Sequence, residues 1–322
     1  MEGANPVVAR RPGRLAGRRK GTRLTETAIR TEGLVKDYGR VRGLDGLDLE
    51  VRTGEVYGFL GPNGAGKTTT IRILFDLIRP NAGSVMVLGL DPRTDGIELR
   101  RRIGYLADDF VVDGRQTPRE LLTYLANLRG GISPVVIDEL AQRLDLDLTR
   151  RIGALSRGNR QKVGVVQAFM HQPELFILDE PTSGLDPFLQ QEFSVMVRQA
   201  VSEGRTVFMS SHVMGEVQRV ADRVGIIRGG RLTTVEGVHQ LRDRAQRRIE
   251  IVFKGKVTAE EFSAIPGVSD VQVDGKVLTC RLDGSADALV KTLARHEVVI
   301  LNAEEPDLEE LFFDYYDRGG SR

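Results

Sequence analysis

The sequence predicts an α/β protein with a mostly parallel sheet, followed by a small α+β domain. Short apolar runs, "ELFILDE", "TVFMSS" and "RVGIIRGG", alternate with helical stretches at 186–203 and 213–222, and this pattern favours parallel strands covered on both faces. The apolar run "VYGFL" leads into a Gly-rich loop and then into a helix from Lys67. Beyond about residue 240 the order becomes β-α-β-β-α-β, the split arrangement of a ferredoxin-like fold.

The composition is that of an ordinary soluble globular protein, with 322 residues, 40% apolar and 28% charged. The longest apolar runs are far shorter than the roughly 18 residues that span a bilayer, so any membrane role requires a partner chain. The single cysteine, Cys280, excludes an internal disulfide framework and a cysteine-rich zinc site. We therefore expect a cytoplasmic protein.

Charge is distributed unevenly along the chain. Residues 1–27 hold seven Lys or Arg and two Glu, a balance of +5, without the apolar core of about 7 to 15 residues that a secretory signal needs. We expect a disordered, solvated tail, and contact with anionic lipid or a partner is the alternative. The last 82 residues hold 12 basic and 16 acidic side chains, so no basic face for nucleic acid is expected.

The remaining elements follow in chain order. Two antiparallel strands are predicted at 28–39 and 43–51, a helix at 67–78, and strands in "SVMVLG" and "RRIGYLAD". Residues 117–170 are predicted to be almost wholly helical, opening with Thr117 as N-cap and Pro118 in the first turn. A last helix is predicted in "DLEELFFDYY". The predicted divisions are a tail at 1–27, a large domain at 28–240 with a helical subdomain at about 110–172, and an accessory domain at 241–322.

The loop "GPNGAGKT" satisfies the phosphate-binding pattern G-x-x-x-x-G-K-[ST] between a strand and a helix. Its backbone N–H groups would cradle phosphates while Lys67 reaches the β and γ oxygens. The Thr68 hydroxyl would bind Mg²⁺, and Thr69 would cap the phosphates beside it. The predicted phosphate-binding residues are Gly61, Pro62, Asn63, Gly64, Ala65, Gly66, Lys67, Thr68 and Thr69.

Two adjacent acids, Asp179 and Glu180, end the apolar run "LFILDE". At the carboxyl edge of the sheet Asp179 would hold Mg²⁺ through water, and Glu180 would orient and deprotonate the attacking water. The alternative is a pair of acids that ends a strand in a solvated turn. A guanine-reading N-K-x-D motif is absent from the sequence, so the pattern favours an ATPase over a GTPase.

Over about residues 28–240 the sequence resembles the ATP-binding subunits of ABC transporters. Tyr38 stands where the family stacks adenine, and the phosphate loop, "GYLADD", "LSRGN", "FILDEPTSGLD" and His212 in "SSH" follow in the family order. The resemblance implies a P-loop NTPase fold of ABC type, with a parallel sheet core, an antiparallel β subdomain and a helical subdomain. It also implies ATP and Mg²⁺ as ligands and a hydrogen bond from His212 to the γ-phosphate. The alternatives are a core aromatic role for Tyr38 and a structural role for His212.

The sequence departs from the family pattern at two places. Asp108, in "GYLADD", replaces a Gln, which keeps an oxygen ligand for Mg²⁺ or water but adds a negative charge near the γ-phosphate, so altered coupling is expected. The usual L-S-G-G-Q reads Leu155 to Asn159, with Arg157 in place of a glycine and Asn159 in place of the Gln. Ser156 and Gly158 are kept, and they would supply a hydroxyl and a close backbone approach to a phosphate. The Arg variant and the terminal "EEPDLEELFFDYY" resemble a branch of the family linked to drug and antibiotic export.

The resemblance implies a protein that works as a pair of copies. Each site would hold phosphates on the loop of one copy and be closed by Ser156 and Gly158 of the other. The pair would drive a separate transmembrane permease and so lie at the cytoplasmic face of the membrane. Two alternatives remain: a cytosolic ABC ATPase acting on ribosomes or nucleic acid, and a regulatory module that holds ATP without turnover.

Overall fold

A computed structural model describes residues 26–304 of the chain, except residue 245. The strands, numbered in chain order, are β1 (Thr27–Tyr38), β2 (Val41–Arg52), β3 (Val56–Leu60), β4 (Ala82–Val87), β5 (Ile103–Leu106), β6 (Leu175–Asp179), β7 (Thr206–Ser211), β8 (Arg223–Arg228), β9 (Arg231–Gly237), β10 (Arg247–Phe253), β11 (Val268–Asp274), β12 (Val277–Leu282) and β13 (Val298–Ala303). The helices are α1 (Lys67–Leu74), α2 (Gly96–Arg102), α3 (Pro118–Leu128), α4 (Pro134–Arg143), α5 (Arg157–Phe169), α6 (Pro187–Ser202), α7 (Met214–Gln218), α8 (Val238–Arg244), α9 (Ala259–Ser263) and α10 (Asp287–Leu293).

The largest sheet has six strands in the order β5-β6-β7-β3-β8-β9. Its first five strands are parallel, and β9 runs antiparallel to β8. Strands β3, β6 and β7 are fully buried and β8 is buried along its centre, as expected for strands covered on both faces. The predicted mostly parallel sheet is confirmed, and β9 is a strand that the apolar pattern missed.

The antiparallel strands β1 and β2 were predicted, and β4 joins them in a three-stranded sheet of order β2-β1-β4. Helix α1 ends at Leu74, four residues before the predicted end. There Asp76 adopts a left-handed φ of 53°, and the N–H groups of Asp76 and Leu77 donate to the carbonyls of Ile73 and Arg72. These closing bonds stop a helix whose apolar pattern continues through Ile78.

The predicted helical segment contains α3, α4 and α5. Helix α5 packs against β5, and α3 and α4 pack against α5, so the three helices share a hydrophobic core with the large sheet. The predicted start of α3 is confirmed as a capping box. The Thr117 hydroxyl accepts from the Glu120 N–H at 3.2 Å, and the Glu120 carboxylate accepts from the Thr117 N–H at 2.8 Å. This cap fixes where the helical segment leaves the loop that follows β5.

The C-terminal region forms a four-stranded antiparallel sheet in the order β11-β12-β10-β13. With α9 and α10 the element order is β-α-β-β-α-β, which confirms the predicted ferredoxin-like arrangement. Its buried residues form a hydrophobic cluster of their own, around Phe253 and Phe262. The division at residue 240 stays a prediction, while the predicted tail, apart from its last two residues, and the last helix lie outside the described residues.

None of the helices within residues 26–304, leaving out residue 245, is long and apolar enough to cross a membrane.

The C-terminal end of α5 packs against the parallel sheet. His171, two residues beyond α5, places Nε2 3.0 Å from the Ile103 carbonyl, so Nε2 carries the proton of the neutral ring. Burial, with a smaller contribution from the charge of Arg129, lowers the pKa of His171 from 6.5 to about 4.

This lowered pKa predicts a specific pH dependence of stability. Because the unfolded chain binds the proton more readily, the contribution of neutral His171 is full above pH 6.5 and is lost as the pH falls toward about 4. The variant His171→Gln keeps an N–H donor for the Ile103 carbonyl and should lack this dependence. Urea unfolding at several pH values between 7 and 4 measures the difference in free energy of unfolding between the two proteins. Parallel curves for both proteins would contradict the assignment.

Candidate functional site

The phosphate loop ends where helix α1 begins. Gly66 caps the helix at φ 115°, a left-handed conformation, and a Cβ at this position would lie 2.8 Å from the Gly43 carbonyl oxygen. Glycine is therefore required at position 66 by both conformation and space. Lys67, 6% exposed, donates from Nζ to the Gly61 carbonyl at 2.6 Å and lies 3.3 Å from Glu180 Oε1. The lysine side chain is therefore held against the phosphate loop, where it was predicted to bind phosphate.

The other predicted groups arrive from neighbouring strands. β6, β7 and β3 lie side by side and parallel, so their carboxyl ends open at one edge of the sheet. Asp179 ends β6, Glu180 follows it, and His212 follows β7. The structure therefore brings Lys67, Asp179, Glu180 and His212 together, as the strand pattern predicted for the two acids.

Glu180 is fixed in an unusual conformation. Its φ is 48°, a left-handed value that costs a non-glycine residue about 1–2 kcal/mol, and its N–H donates to the Ser210 carbonyl at 3.3 Å and to the Ser210 hydroxyl at 3.1 Å. Oε2 lies 2.9 Å from Nδ1 of His212. The carboxylate thus lies between an imidazole on one side and the ammonium group of Lys67 on the other.

Asp179 is the most buried acid of the group, at 1% exposure. Burial raises its pKa, and the nearby charges of Asp108 and Glu180 raise it further, whereas hydrogen bonds from Ser210 and Thr68 to the carboxylate lower it. The hydroxyl of Ser210 donates to Oδ1 of Asp179. Ser210 therefore supports both acids, one through its side chain and the other through its backbone carbonyl and hydroxyl.

Lys67, Glu180 and His212 line a cleft of about 570 Å³, whereas Asp179 and Ser210 are buried and do not line it. Tyr38 stands at its edge, 46% exposed, with its hydroxyl 3.4 Å from the Thr69 hydroxyl and its ring against Gly43. An exposed position at the cleft excludes the alternative of a core aromatic. Of the predicted phosphate loop, Gly61 and Ala65 are buried behind the cleft. The loop residues that line the cleft are Pro62, Asn63, Gly64, Gly66, Lys67, Thr68 and Thr69.

Comparison with known proteins assigns the family. A family model described as ABC transporter matches residues 44–183. The chain is 34% identical over 295 residues to the bacitracin transport ATP-binding protein BcrA of Bacillus licheniformis, and the match covers 89% of this chain and 96% of that protein. It is 34% identical over 304 residues to the daunorubicin resistance ATP-binding protein DrrA3 of Streptomyces coeruleorubidus, with 90% and 96% covered. The chain belongs to the ABC transporter family.

A solved structure supports the fold. The dimeric structure of MJ0796, a bacterial ABC transporter cassette, matches with a TM-score of 0.60 at 22% identity, over 65% of this chain and 98% of that chain. The predicted ABC-type fold is confirmed. The chain is an ATP-binding, ATP-hydrolysing subunit of an ABC transporter, as predicted from the resemblance, and the alternative of a non-transport ABC ATPase finds no support among these relatives.

The segment that corresponds to the L-S-G-G-Q pattern, residues 155–159, is the signature loop of this ABC subunit, and it lies at the start of α5. Ser156 is the N-cap, with its hydroxyl accepting from the Asn159 N–H at 3.2 Å, and it is exposed. A Cβ at Gly158 would lie 2.3 Å from the Gly184 carbonyl oxygen, so this glycine allows α5 to approach the 180–184 loop closely. Among the described residues that line the cleft, Arg157 is present, but Ser156 and Gly158 are not.

Several residues of the ABC site were missed by sequence reasoning. Gln161, 4% exposed, donates from Nε2 to the carbonyls of Glu180 and Pro181 at 3.3 and 3.4 Å. Ser210 supports both acids, and Ser183 hydrogen-bonds Arg157. The polar end of "TVFMSS" was a signal for Ser210, because polar residues that end a buried parallel strand face the ligand edge. Gln161 and Ser183 lie in positions that no local pattern marks.

Proposed function

We propose that this ABC subunit works as a homodimer that couples ATP hydrolysis to export through a separate membrane permease. The observation that supports the catalytic part most directly is the position of Glu180 between Lys67 and His212, at the edge of the cleft. A carboxylate held there by its backbone is placed to act on a water at the terminal phosphate of a bound nucleotide. The cleft volume of about 570 Å³ lies within the range of small-ligand sites.

The nucleotide would enter with its phosphates on the loop and its base on Tyr38. The N–H groups at the start of α1 and the ammonium group of Lys67 would bind the phosphate oxygens, and Thr69 would cap them. Tyr38 lines the cleft and is 46% exposed, so its ring would offer a surface for stacking. His212, 52% exposed, would hydrogen-bond the γ-phosphate.

The residues present fit Mg²⁺ bound together with the nucleotide. Within residues 26–304, leaving out residue 245, no group of three His, Cys, Asp or Glu side chains could hold a metal ion alone. The Thr68 hydroxyl nevertheless lies close enough to Asp179 to lower the pKa of its carboxyl, and both residues offer the oxygen ligands that Mg²⁺ prefers, with Asp108 as a third. These residues would hold Mg²⁺ beside the phosphates, and the ion would supply positive charge against the negative charge that develops during phosphoryl transfer.

Two copies are proposed because Ser156 and Gly158 do not line the cleft of their own copy. Ser156 is exposed and Gly158 is packed on Gly184, and neither belongs to the cleft that holds Lys67. The N-terminus of the 13-residue helix α5 favours an anion. Ser156 and Gly158 of one copy would therefore close the phosphate site of the other.

Export and the permease are proposed from the relatives. BcrA is named for bacitracin transport, and DrrA3 for daunorubicin resistance. The described helices include none that could cross a membrane, so the translocation path would belong to a separate permease and place this subunit at the cytoplasmic face. Nucleic acid is not a proposed partner. The transported substrate is expected to be selected by the permease.

The test is co-expression with a candidate permease, a protein with about six apolar spans sought in the neighbouring open reading frames. We expect the two to co-purify from membranes, ATP hydrolysis to depend on this chain, and cells to export a test compound such as bacitracin or daunorubicin only when both are present. Lys67→Ala should co-purify but abolish export, because it removes the phosphate contact without changing the surface. Hydrolysis without any association with a membrane protein would contradict the transport part of the proposal.

A further inference from the structure

Two of the three positions at which this chain departs from its family pattern, Asp108 and Arg157, lie side by side in the structure, while the third is Asn159. Arg157 opens helix α5 and Asp108 follows β5, 49 residues earlier, yet Nη2 of Arg157 lies 3.6 Å from Oδ1 of Asp108. The same nitrogen is 3.2 Å from the Ser183 hydroxyl and donates to it. All three residues line the nucleotide cleft. The two substitutions therefore form one local arrangement.

Folding stability does not explain this arrangement. The side chains of Arg157 and Asp108 are 66% and 46% exposed, and ion pairs this exposed contribute little to the free energy of unfolding. Their position within the cleft has a larger consequence for an anionic ligand. A triphosphate approaching Asp108 would meet a negative charge that an uncharged Gln would not present.

The other cationic groups that line the cleft already have carboxylate partners. Lys67 lies 3.3 Å from Glu180, and Arg42 is paired with Asp37 and Asp45 at 2.9 and 2.8 Å. Arg157 is the cleft cation that faces Asp108. A single nitrogen of Arg157, Nη2, lies close to both the Asp108 carboxylate and the Ser183 hydroxyl.

The N-terminal part of α5 also contacts the 180–184 loop, which begins with Glu180. Gly158 packs on Gly184, and Gln161 binds the carbonyls of Glu180 and Pro181. Through Ser183, Arg157 adds a third connection between α5 and the 180–184 loop. Arg157 contacts Asp108 and, through Ser183, the 180–184 loop. These two contacts would set the orientation of the Asp108 carboxylate relative to bound phosphates.

We propose that Arg157 is a positioning residue that neutralises and orients Asp108 of its own copy, so that a nucleoside triphosphate binds beside a carboxylate. This inference rests on the proposed function. It assigns Arg157 a role within its own cleft, separate from the role of Ser156 and Gly158 across the dimer. The inference explains the departures at Asp108 and Arg157 together: the arginine compensates for the acid.

The test is a double-mutant cycle with Arg157→Gln, Asp108→Asn and the double variant, measured as KM and kcat for ATP and as the affinity for a fluorescent ATP analogue. We expect Arg157→Gln to raise KM about 3- to 10-fold at low salt, with a smaller change in kcat, because it leaves Asp108 uncompensated. In the Asp108→Asn background the same change should alter KM less than about 2-fold. Arg157→Lys, which keeps the charge but changes the reach and shape of the side chain, should lie between wild type and Arg157→Gln.

A matched control is Arg119→Gln, which breaks the exposed pair of Arg119 and Asp138 (2.7 Å) in the same helical segment but outside the cleft. It should leave KM unchanged. An effect of Arg157→Gln that persists undiminished in the Asp108→Asn background would overturn the inference, since Arg157 would then act on phosphate directly or across the dimer. Wild-type protein that neither binds nor hydrolyses ATP would overturn the proposed function itself. Normal ATP hydrolysis by the wild type, together with independent effects of the Arg157 and Asp108 substitutions on KM, would overturn this inference alone.

Discussion

Replacement of Glu180 by glutamine is expected to lower kcat for ATP hydrolysis by about 100-fold or more, while ATP still binds. The amide has nearly the same shape as the carboxylate but takes no proton from water. It also removes the negative charge that lies 3.3 Å from Nζ of Lys67, which leaves the lysine freer to bind phosphate. The variant should therefore accumulate an ATP-bound dimer, seen as a shift in size-exclusion chromatography that requires ATP.

Glu174→Gln is the matched control for this prediction. Glu174 precedes the same strand β6 at the opposite edge of the sheet, where it pairs with Arg102 at 2.8 Å. Its replacement should leave turnover close to the wild-type value, because it lies outside the cleft. Undiminished turnover in Glu180→Gln would show that another group activates the water.

Mixing two inactive variants, Lys67→Ala and Ser156→Arg, is expected to restore ATP hydrolysis. The first variant lacks the phosphate-binding lysine, and the second carries a long charged side chain at the exposed N-cap of α5. In a mixed dimer one site combines the intact loop of one copy with the intact signature loop of the other. With random pairing of equal amounts, about a quarter of all sites should be intact.

Each variant alone should hydrolyse ATP at a small fraction of the wild-type rate. A mixture of Lys67→Ala with Glu180→Gln should do the same, because Lys67 and Glu180 of one copy belong to the same site and no mixed dimer then has an intact site. That mixture is the control for restoration through simple dilution or refolding. If the Lys67→Ala and Ser156→Arg mixture stayed inactive while its copies were shown to pair, the composite site would be excluded.

Much of this molecule follows from local sequence patterns. The phosphate loop, the acids at the end of β6 and the capping box at Thr117 each depend on a few adjacent residues, so their structure was predictable. The expected helix through Ile78 was too long, because an apolar pattern does not show that Asp76 turns left-handed. Strand β9 was missed because its residues are only partly buried and so carry a weak apolar signal.

By itself, the sequence determined that a strand, a Gly-rich loop and a helix would build a phosphate site, and that two acids would stand at the same edge of the sheet. Those features depend on backbone geometry within one strand–loop–helix unit and on the shared direction of parallel strands. Only the tertiary structure decided that Arg157 faces Asp108, that Gln161 holds the Glu180 carbonyl and that Ser210 supports both acids. These contacts join residues 19 to 49 positions apart, and they exist because strand order and helix packing bring the segments together.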